Sequence, residues 1–217
     1  MLIFIYFYNF KHVCPECINM TTALKLILCA VIAYFLGSFN GAIFLSKLLG
    51  KDVRSGGSGN AGATNIARIH GMGAGIATFL FDFFKAALAM YLGRLLAGDW
   101  GVCVAGIVCL LGHCYPFLHH FRGGKGVSSG AAVAFFIKPW FLAVALAVFA
   151  VLALTTKKVS LSSIVATFSA LILGIVTGVS LPYMILIFIA NIIIISRHSK
   201  NIERLINGTE SDFEAKK

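Results

Sequence analysis

Long apolar runs separated by short polar breaks dominate the pattern along the chain. Marked off by Gly, Pro and charge clusters, they extend approximately from Leu24 to Leu49, Gly73 to Leu96, Val102 to Leu118, Val127 to Ile137, Pro139 to Leu154, Leu161 to Gly178 and Leu181 to Ile195. A helix needs roughly 17–25 apolar residues to cross a hydrocarbon layer, and most of these runs approach that length. The run from Val127 is short, and Lys138-Pro139 marks either a kink in one hairpin or a new span; the apolar residues after it call for a separate partner. Strands are excluded, because the runs lack the alternation of a barrel and an open sheet leaves backbone groups unsatisfied in lipid. The pattern predicts an all-α integral membrane protein, a bundle of seven transmembrane helices over residues 20–196, with a tail over 197–217 that contributes to a site.

Composition agrees. Of 217 residues, 59% are hydrophobic and only 12% charged, and the mean hydropathy is +0.91; a soluble domain of this length has no interior large enough for so much apolar surface. Orientation follows from the basic residues. With the tail on the cytoplasmic side, that side carries Lys47, Lys51, Arg54, Arg68, Arg122, Lys125, Lys157, Lys158, Arg197, Lys200, Arg204, Lys216 and Lys217, thirteen against Lys11, Lys25, Arg94 and Lys138 opposite. The positive-inside rule places the polar loops and the tail in the cytoplasm. The net charge of +10 is thus first a topology signal and an attraction to anionic headgroups. Nucleic acid is not an expected partner, since the basic residues are scattered among short loops.

Residues 1–19 form a peculiar leader, rich in Phe, Ile and Tyr but interrupted by Lys11 and His12. Without a basic first region or a small-residue cleavage site it is a poor signal peptide, and Met20-Thr-Thr-Ala-Leu-Lys25 is a more natural start. It is expected to be a mis-assigned start or a dispensable extension. Its Cys14-Pro-Glu-Cys17 has metal or redox spacing but lacks a second ligand pair.

Two polar islands carry the candidate chemistry. Asp52-Val-Arg-Ser-Gly-Gly-Ser-Gly-Asn-Ala-Gly-Ala-Thr-Asn65 combines glycines, hydroxyls, amides and a fixed charge, and Arg122-Gly-Gly-Lys-Gly-Val-Ser-Ser129 repeats the combination. Glycines let successive N–H groups converge on an anion, and Arg supplies a planar fork. Two such cradles suggest a two-phosphate reaction or one large shared site. Within the spans, Asp82 and Lys85 stand at helical spacing; intramembrane ionisable groups suggest function, but a structural ion pair is the stronger reading here. His113 closes the third run, while His198 and Asn201 open the tail on one helical face.

Taken together, Gly37-Ser38, Asp52-Val-Arg54, Gly57-Ser-Gly-Asn-Ala-Gly-Ala-Thr-Asn65, Gly112-His113 with Pro116, Gly123-Gly-Lys-Gly-Val127 and Arg197-His-Ser-Lys-Asn-Ile-Glu-Arg-Leu-Ile-Asn-Gly208 resemble the bacterial acyl-phosphate-dependent glycerol-3-phosphate acyltransferases, the PlsY family. The chain departs modestly from that pattern at Arg122, at Ser128-Ser129, and at Ala86, where the family has glycine. The resemblance implies a multi-pass protein of the bacterial inner membrane that transfers a fatty acyl group from acyl phosphate to glycerol 3-phosphate, giving lysophosphatidic acid and phosphate.

Phosphate is a good leaving group, so positioning and charge stabilisation suffice without an acyl-enzyme. No cysteine occurs in the glycine-rich loops. The candidate catalytic residues are Ser58, Asn60, Lys125 and His198. Ser58, Asn60 and the loop amides, with Gly57, Gly59, Gly123, Gly124, Gly126 and Ser128, are expected to hold phosphate while Lys125 neutralises the leaving group. Arg68 is expected to clamp the second substrate; Arg54, Thr64 and Asn65 order the first loop or contact phosphate; Ser163, His198 and Asn201 complete the glycerol 3-phosphate pocket. The base is either a substrate phosphate, as the resemblance implies, or His198. No cofactor is expected, nor a metal, since Asp52 is the sole acid in the two loops. Membrane lipid is the other partner, and the protein is expected to be a monomer. The competing class is a transporter of a phosphorylated metabolite, which would show internal repeats and broken midplane helices.

Overall fold

A computed structural model describes residues 20–216. The expected leader and its Cys14 and Cys17 lie outside the described residues. Among these the architecture is all-helical. Helix α1 (Met20–Ser38) is followed by α2 (Gly41–Leu48), α3 (Ala63–His70), α4 (Met72–Cys114), α5 (Val127–Ile137), α6 (Pro139–Thr156), α7 (Val159–Thr177), α8 (Leu181–Arg197) and α9 (Ser199–Ile206).

Local chemistry sets each boundary. The Asn40 amide oxygen accepts from Ile43 N at 3.0 Å and restarts the chain as α2 after the break behind Ser38. The α4 segment is 43 residues long but leaves helical geometry at Ala97 and Gly98. There it folds back, so that Gly93 and Gly101 meet backbone to backbone, where either Cβ would overlap the other's carbonyl. Gly37 of α1 likewise lies against the Cys109 carbonyl and Gly112 against that of Tyr34. Small residues at such crossings let membrane helices approach closely, which replaces the hydrophobic driving force that lipid removes. The core between these helices is correspondingly small-grained, with Ala33, Ala86, Ala89, Cys103, Ala105 and Ala132 around Met90 and Leu186. Ala86 fits there at 3% exposure.

Four stretches are long and apolar enough to cross a membrane, Met20–Leu48, Met72–His119, Pro139–Thr156 and Val159–Thr177, and α8 with α9, bent by 61° at His198, makes a fifth. Each of the seven expected runs is found as helix. Of these stretches Met72–His119 contains two of the runs, folded back on each other, while the 11-residue α5 reaches only about 16 Å against a hydrocarbon thickness of about 30 Å. A helix that ends partway through a bilayer brings its terminus, with unpaired N–H groups, inside the protein.

Candidate active site

The first glycine-rich loop is held by its own side chains. Asn65, 1% exposed, accepts from Ser58 N at 2.8 Å and donates to Val53 O at 2.8 Å and Gly56 O at 3.1 Å. Gly57 has φ +57, and a Cβ there would collide with the Asn65 amide oxygen; both facts demand glycine. Arg54 forks onto Asp52, with Nη2 to Oδ2 at 2.7 Å and Nε to Oδ1 at 3.1 Å, and the Arg54 guanidinium holds the Asp52 carboxyl below its usual pKa. From the membrane side, Asn40 Nδ2 donates to Ala61 O at 3.1 Å.

The second loop is held by main chain. Gly123 N donates to Cys114 O at 3.2 Å and Gly124 N to His113 O at 3.1 Å, using carbonyls that the end of α4 leaves free. Arg197, stacked 4.9 Å over the Tyr115 ring, donates Nε to Gly124 O at 3.2 Å. Gly126, at φ +86, turns the chain into α5.

The tail closes the arrangement. Asn201 accepts from Lys125 Nζ at 2.5 Å and donates to Glu210 Oε1 at 2.7 Å. The same carboxylate accepts from Ser160 Oγ at 2.6 Å and from Arg204 Nε at 2.7 Å. Burial pushes the Lys125 ammonium down to about 8, opposed by the nearby Glu210 charge and reinforced by Arg204, Arg68 and Arg197. Beyond Glu210 the chain runs as a strap: Asp212 pairs with Lys158 at 2.7 Å, Phe213 N donates to Lys157 O at 3.0 Å, Arg68 Nη2 donates to Asp212 O at 3.3 Å, and Lys216 N donates to Ala67 O at 3.2 Å.

All of this surrounds one cavity of about 1020 Å³. Three helices begin on its wall, with Ala63 and Thr64 from α3, Val127 and Ser128 from α5, and Val159 and Ser160 from α7. Helix N-termini present free N–H groups and positive dipole ends, so their convergence favours anions. Lys125, Arg68 and Arg204 add full charges to the same wall. The carboxylates of Asp82, Glu210, Asp212 and Glu214 share the lining, and an apolar part is formed by Ile76, Phe79, Val133, Leu142, Leu146 and Phe149. A ligand with an anionic head and a hydrocarbon tail matches both parts. Among the described residues, no three His, Cys, Asp or Glu side chains come together as metal ligands would.

A family model described as glycerol-3-phosphate acyltransferase matches residues 27–208. The chain belongs to the glycerol-3-phosphate acyltransferase family. The glycerol-3-phosphate acyltransferase of Finegoldia magna is 43% identical over 190 residues, which are 87% of this chain and 96% of that relative. Two crystal structures of PlsY, an integral membrane glycerol 3-phosphate acyltransferase, superpose on it at 34% identity. Its glycerol 3-phosphate form gives a TM-score of 0.84 over 87% of this chain and 96% of that one. Its lysophosphatidic acid form gives 0.82 over 87% and 95%.

Against that family fold, the sequence-predicted residues divide clearly. Gly57, Ser58, Asn60, Thr64, Asn65, Arg68, Lys125, Gly126, Ser128, Ser163, His198 and Asn201 all line the cavity. Arg54, Gly59, Gly123 and Gly124 do not line it. Arg54 is paired with Asp52, while Gly123 and Gly124 brace the second loop from behind. Ser160, Arg204 and Glu210 reach the site although sequence reading passed over them. An acid following a basic tail was the available signal for Glu210, but its partners are 6 to 50 residues away in sequence. Asp82 and His113 also line the cavity, from within the membrane bundle. Asp82 is indeed ion-paired with Lys85, at 2.7 Å, but as part of a three-residue cluster with His113.

Proposed function

We propose that this protein transfers a fatty acyl group from acyl phosphate to glycerol 3-phosphate, giving lysophosphatidic acid and inorganic phosphate, at the cytoplasmic face of a bacterial inner membrane. The observation that carries the reading is the single cavity in which three helix N-termini and three cationic side chains adjoin an apolar wall. Family membership supports the acceptor. The donor is argued from chemistry: an acyl phosphate brings its own leaving group, and the site offers charge stabilisation without an activated nucleophile.

In the reaction the glycerol hydroxyl oxygen bonds to the acyl carbon, the carbon–oxygen bond to phosphate breaks, and the hydroxyl proton leaves on the departing phosphate. Lys125, the α5 N-terminus and Ser128 stabilise the leaving group, while Ser58, Asn60, Thr64 and Arg68 face the other phosphate. Ser163 and Asn201 position the acceptor. Gly57 and Asn65 shape the first loop, and Gly59, Gly123, Gly124, Gly126 and Arg54 support the two cradles. The ring of His198, 2% exposed, donates Nδ1–H to Ile194 O at 2.7 Å, which leaves Nε2 as a hydrogen-bond acceptor. Nε2 accepts from the non-reacting hydroxyl of glycerol 3-phosphate and so orients the acceptor, while a phosphate oxygen takes the proton of the attacking hydroxyl. The protein acts as a monomer in contact with membrane lipid.

Purified protein in liposomes, given acyl phosphate and glycerol 3-phosphate, is expected to form lysophosphatidic acid without moving glycerol 3-phosphate across the bilayer. Flux without product would establish the transporter instead. His198→Gln separates the two bases: a single-turnover rate reduced by about 100-fold or more, with binding retained, would make His198 the general base and end the substrate-assisted version.

A further inference from the structure

Two histidines line the cavity, and only His198 has been assigned a task. His113 ends the second arm of α4 at 3% exposure. Its Nδ1 lies 3.2 Å from Lys85 Nζ. Lys85 is buried and paired with Asp82 at 2.7 Å, and it also donates to Gly37 O at 3.1 Å and Phe39 O at 2.5 Å. Those three acceptors already match the three Nζ hydrogens, and His113 Nδ1 also lies 3.6 Å from Asp82 Oδ1, outside hydrogen-bond range. An ammonium only donates, so the Nδ1 that faces it is read as accepting a shared N–H, with the ring proton assigned to Nε2; an imidazolium would place an N–H against the ammonium. Its tautomer is the reverse of that at His198, whose Nδ1 donates to Ile194 O.

No described residue takes a hydrogen bond from His113 Nε2, and the sealed, unpartnered polar atoms are those of Thr78, Asp82, Ser129 and Asn191. The Nε2 edge is thus left without a described protein partner, on a ring that lines the cavity. It lies at the seam of the two loops, where a Cβ on Gly124 would overlap both Nε2 and the Ala61 carbonyl. Gly124 immediately precedes the cation Lys125, and Asp82, 3.6 Å from His113 Nδ1, stands one helical turn from Phe79 of the apolar wall, which places the ring between the two parts of the cavity.

We infer that His113 is a catalytic residue: its Nε2–H donates to the acyl carbonyl oxygen of the donor as that oxygen becomes an oxyanion. The covalent order of the substrate supports this, because the carbonyl lies between the phosphate and the hydrocarbon chain. A fixed, neutral donor is suited to charge that develops only in the transition state, whereas the phosphates already have full cations. The proton stays on Nε2 throughout; the negative charge collapses back to a carbonyl as the bond to phosphate breaks. The inference rests on the acyl-phosphate reading above.

The test uses the full chain purified in detergent, with His113→Phe and His113→Gln beside wild type. Removing one oxyanion donor typically lowers kcat by about 100- to 1,000-fold. His113→Phe is expected to show that loss with glycerol 3-phosphate binding retained, and His113→Gln, which restores a neutral donor, is expected to recover much of it. In wild type labelled with 15N-histidine, the His113 signals should report a proton on Nε2 and none on Nδ1. A wild type inactive with acyl phosphate sinks the underlying reading; an active wild type with an unimpaired Phe variant sinks only this inference. Equal losses in both variants together with lost substrate binding, or an Nδ1–H tautomer, would also overturn it, leaving His113 a packing group.

Discussion

The two glycine-rich loops look like twins in sequence and are built in opposite ways. The first is held by side chains: Asn65 ties Val53, Gly56 and Ser58 together, and Arg54 is consumed by Asp52. The second is held by main chain, hung from carbonyls of His113 and Cys114 and pinned by Arg197. Most polar groups of the first loop therefore make the cradle, while the conspicuous charge of the second, Lys125, is held at the cavity wall by a residue of the tail, Asn201. A phosphate-loop composition alone does not say which donors are left over for phosphate.

That contrast can be broken in order of effect. Lys125→Met removes the charge but no loop bond, so kcat/KM should fall by about 100- to 1,000-fold, the scale of a lost transition-state stabiliser, while thermal stability in detergent stays near wild type. Asn65→Ala should show the reverse balance. It orphans the part-buried Ser58 N–H and the buried Val53 carbonyl and leaves Gly56 O with only Gly59 N, a loss of about 2–4 kcal/mol at typical values, visible as a lowered melting temperature. If Lys125→Met unfolds the protein or Asn65→Ala leaves stability intact, the division between the loops is wrong.

The next effect is on pH dependence. With Lys125 depressed to about 8, the ammonium is present below that pH and lost above it, so kcat/KM should fall as pH rises through about 8. The Glu210 charge raises the Lys125 pKa; Glu210→Gln must therefore move the fall to lower pH, measurable in a profile of initial rates. A profile indifferent to this substitution would mean that another group limits the reaction. Smallest of all is Arg54→Ala. Its ion pair is about one-third exposed, at 30% and 33% for the two side chains, and such pairs contribute about 0–1 kcal/mol. Activity should stay within about 5-fold of wild type, the rate equivalent of that energy; a far larger loss would place Arg54 on phosphate after all.

Much of the fold was legible because lipid imposes strict rules. Apolar length and Lys/Arg asymmetry mark the helices and their expected orientation without knowledge of any contact. The same rules mislead where a run falls short of a crossing, as with α5 from Val127 to Ile137, because apolarity reports burial in lipid or in protein alike. Of the site, residues inside dense polar motifs were readable, and Ser58, Lys125 and His198 do face one cavity. Glu210, Ser160 and Arg204 were not, since a lone acid, serine or arginine gains meaning only from its neighbours.

The sequence by itself determined a helical membrane protein, its candidate phosphate loops and, through ordered motifs, the family to which it belongs. These are local or compositional properties, set by how a segment partitions between water and lipid and by which residues a tight turn tolerates. Tertiary structure decided which polar groups hold the loops and which remain free. It also brought the tail's Asn201 to Lys125, 76 residues away, and Lys85 to His113, 28 residues away. Those outcomes depend on distances of a few ångströms between segments far apart in the chain, where a hydrogen bond already made is no longer available to a substrate.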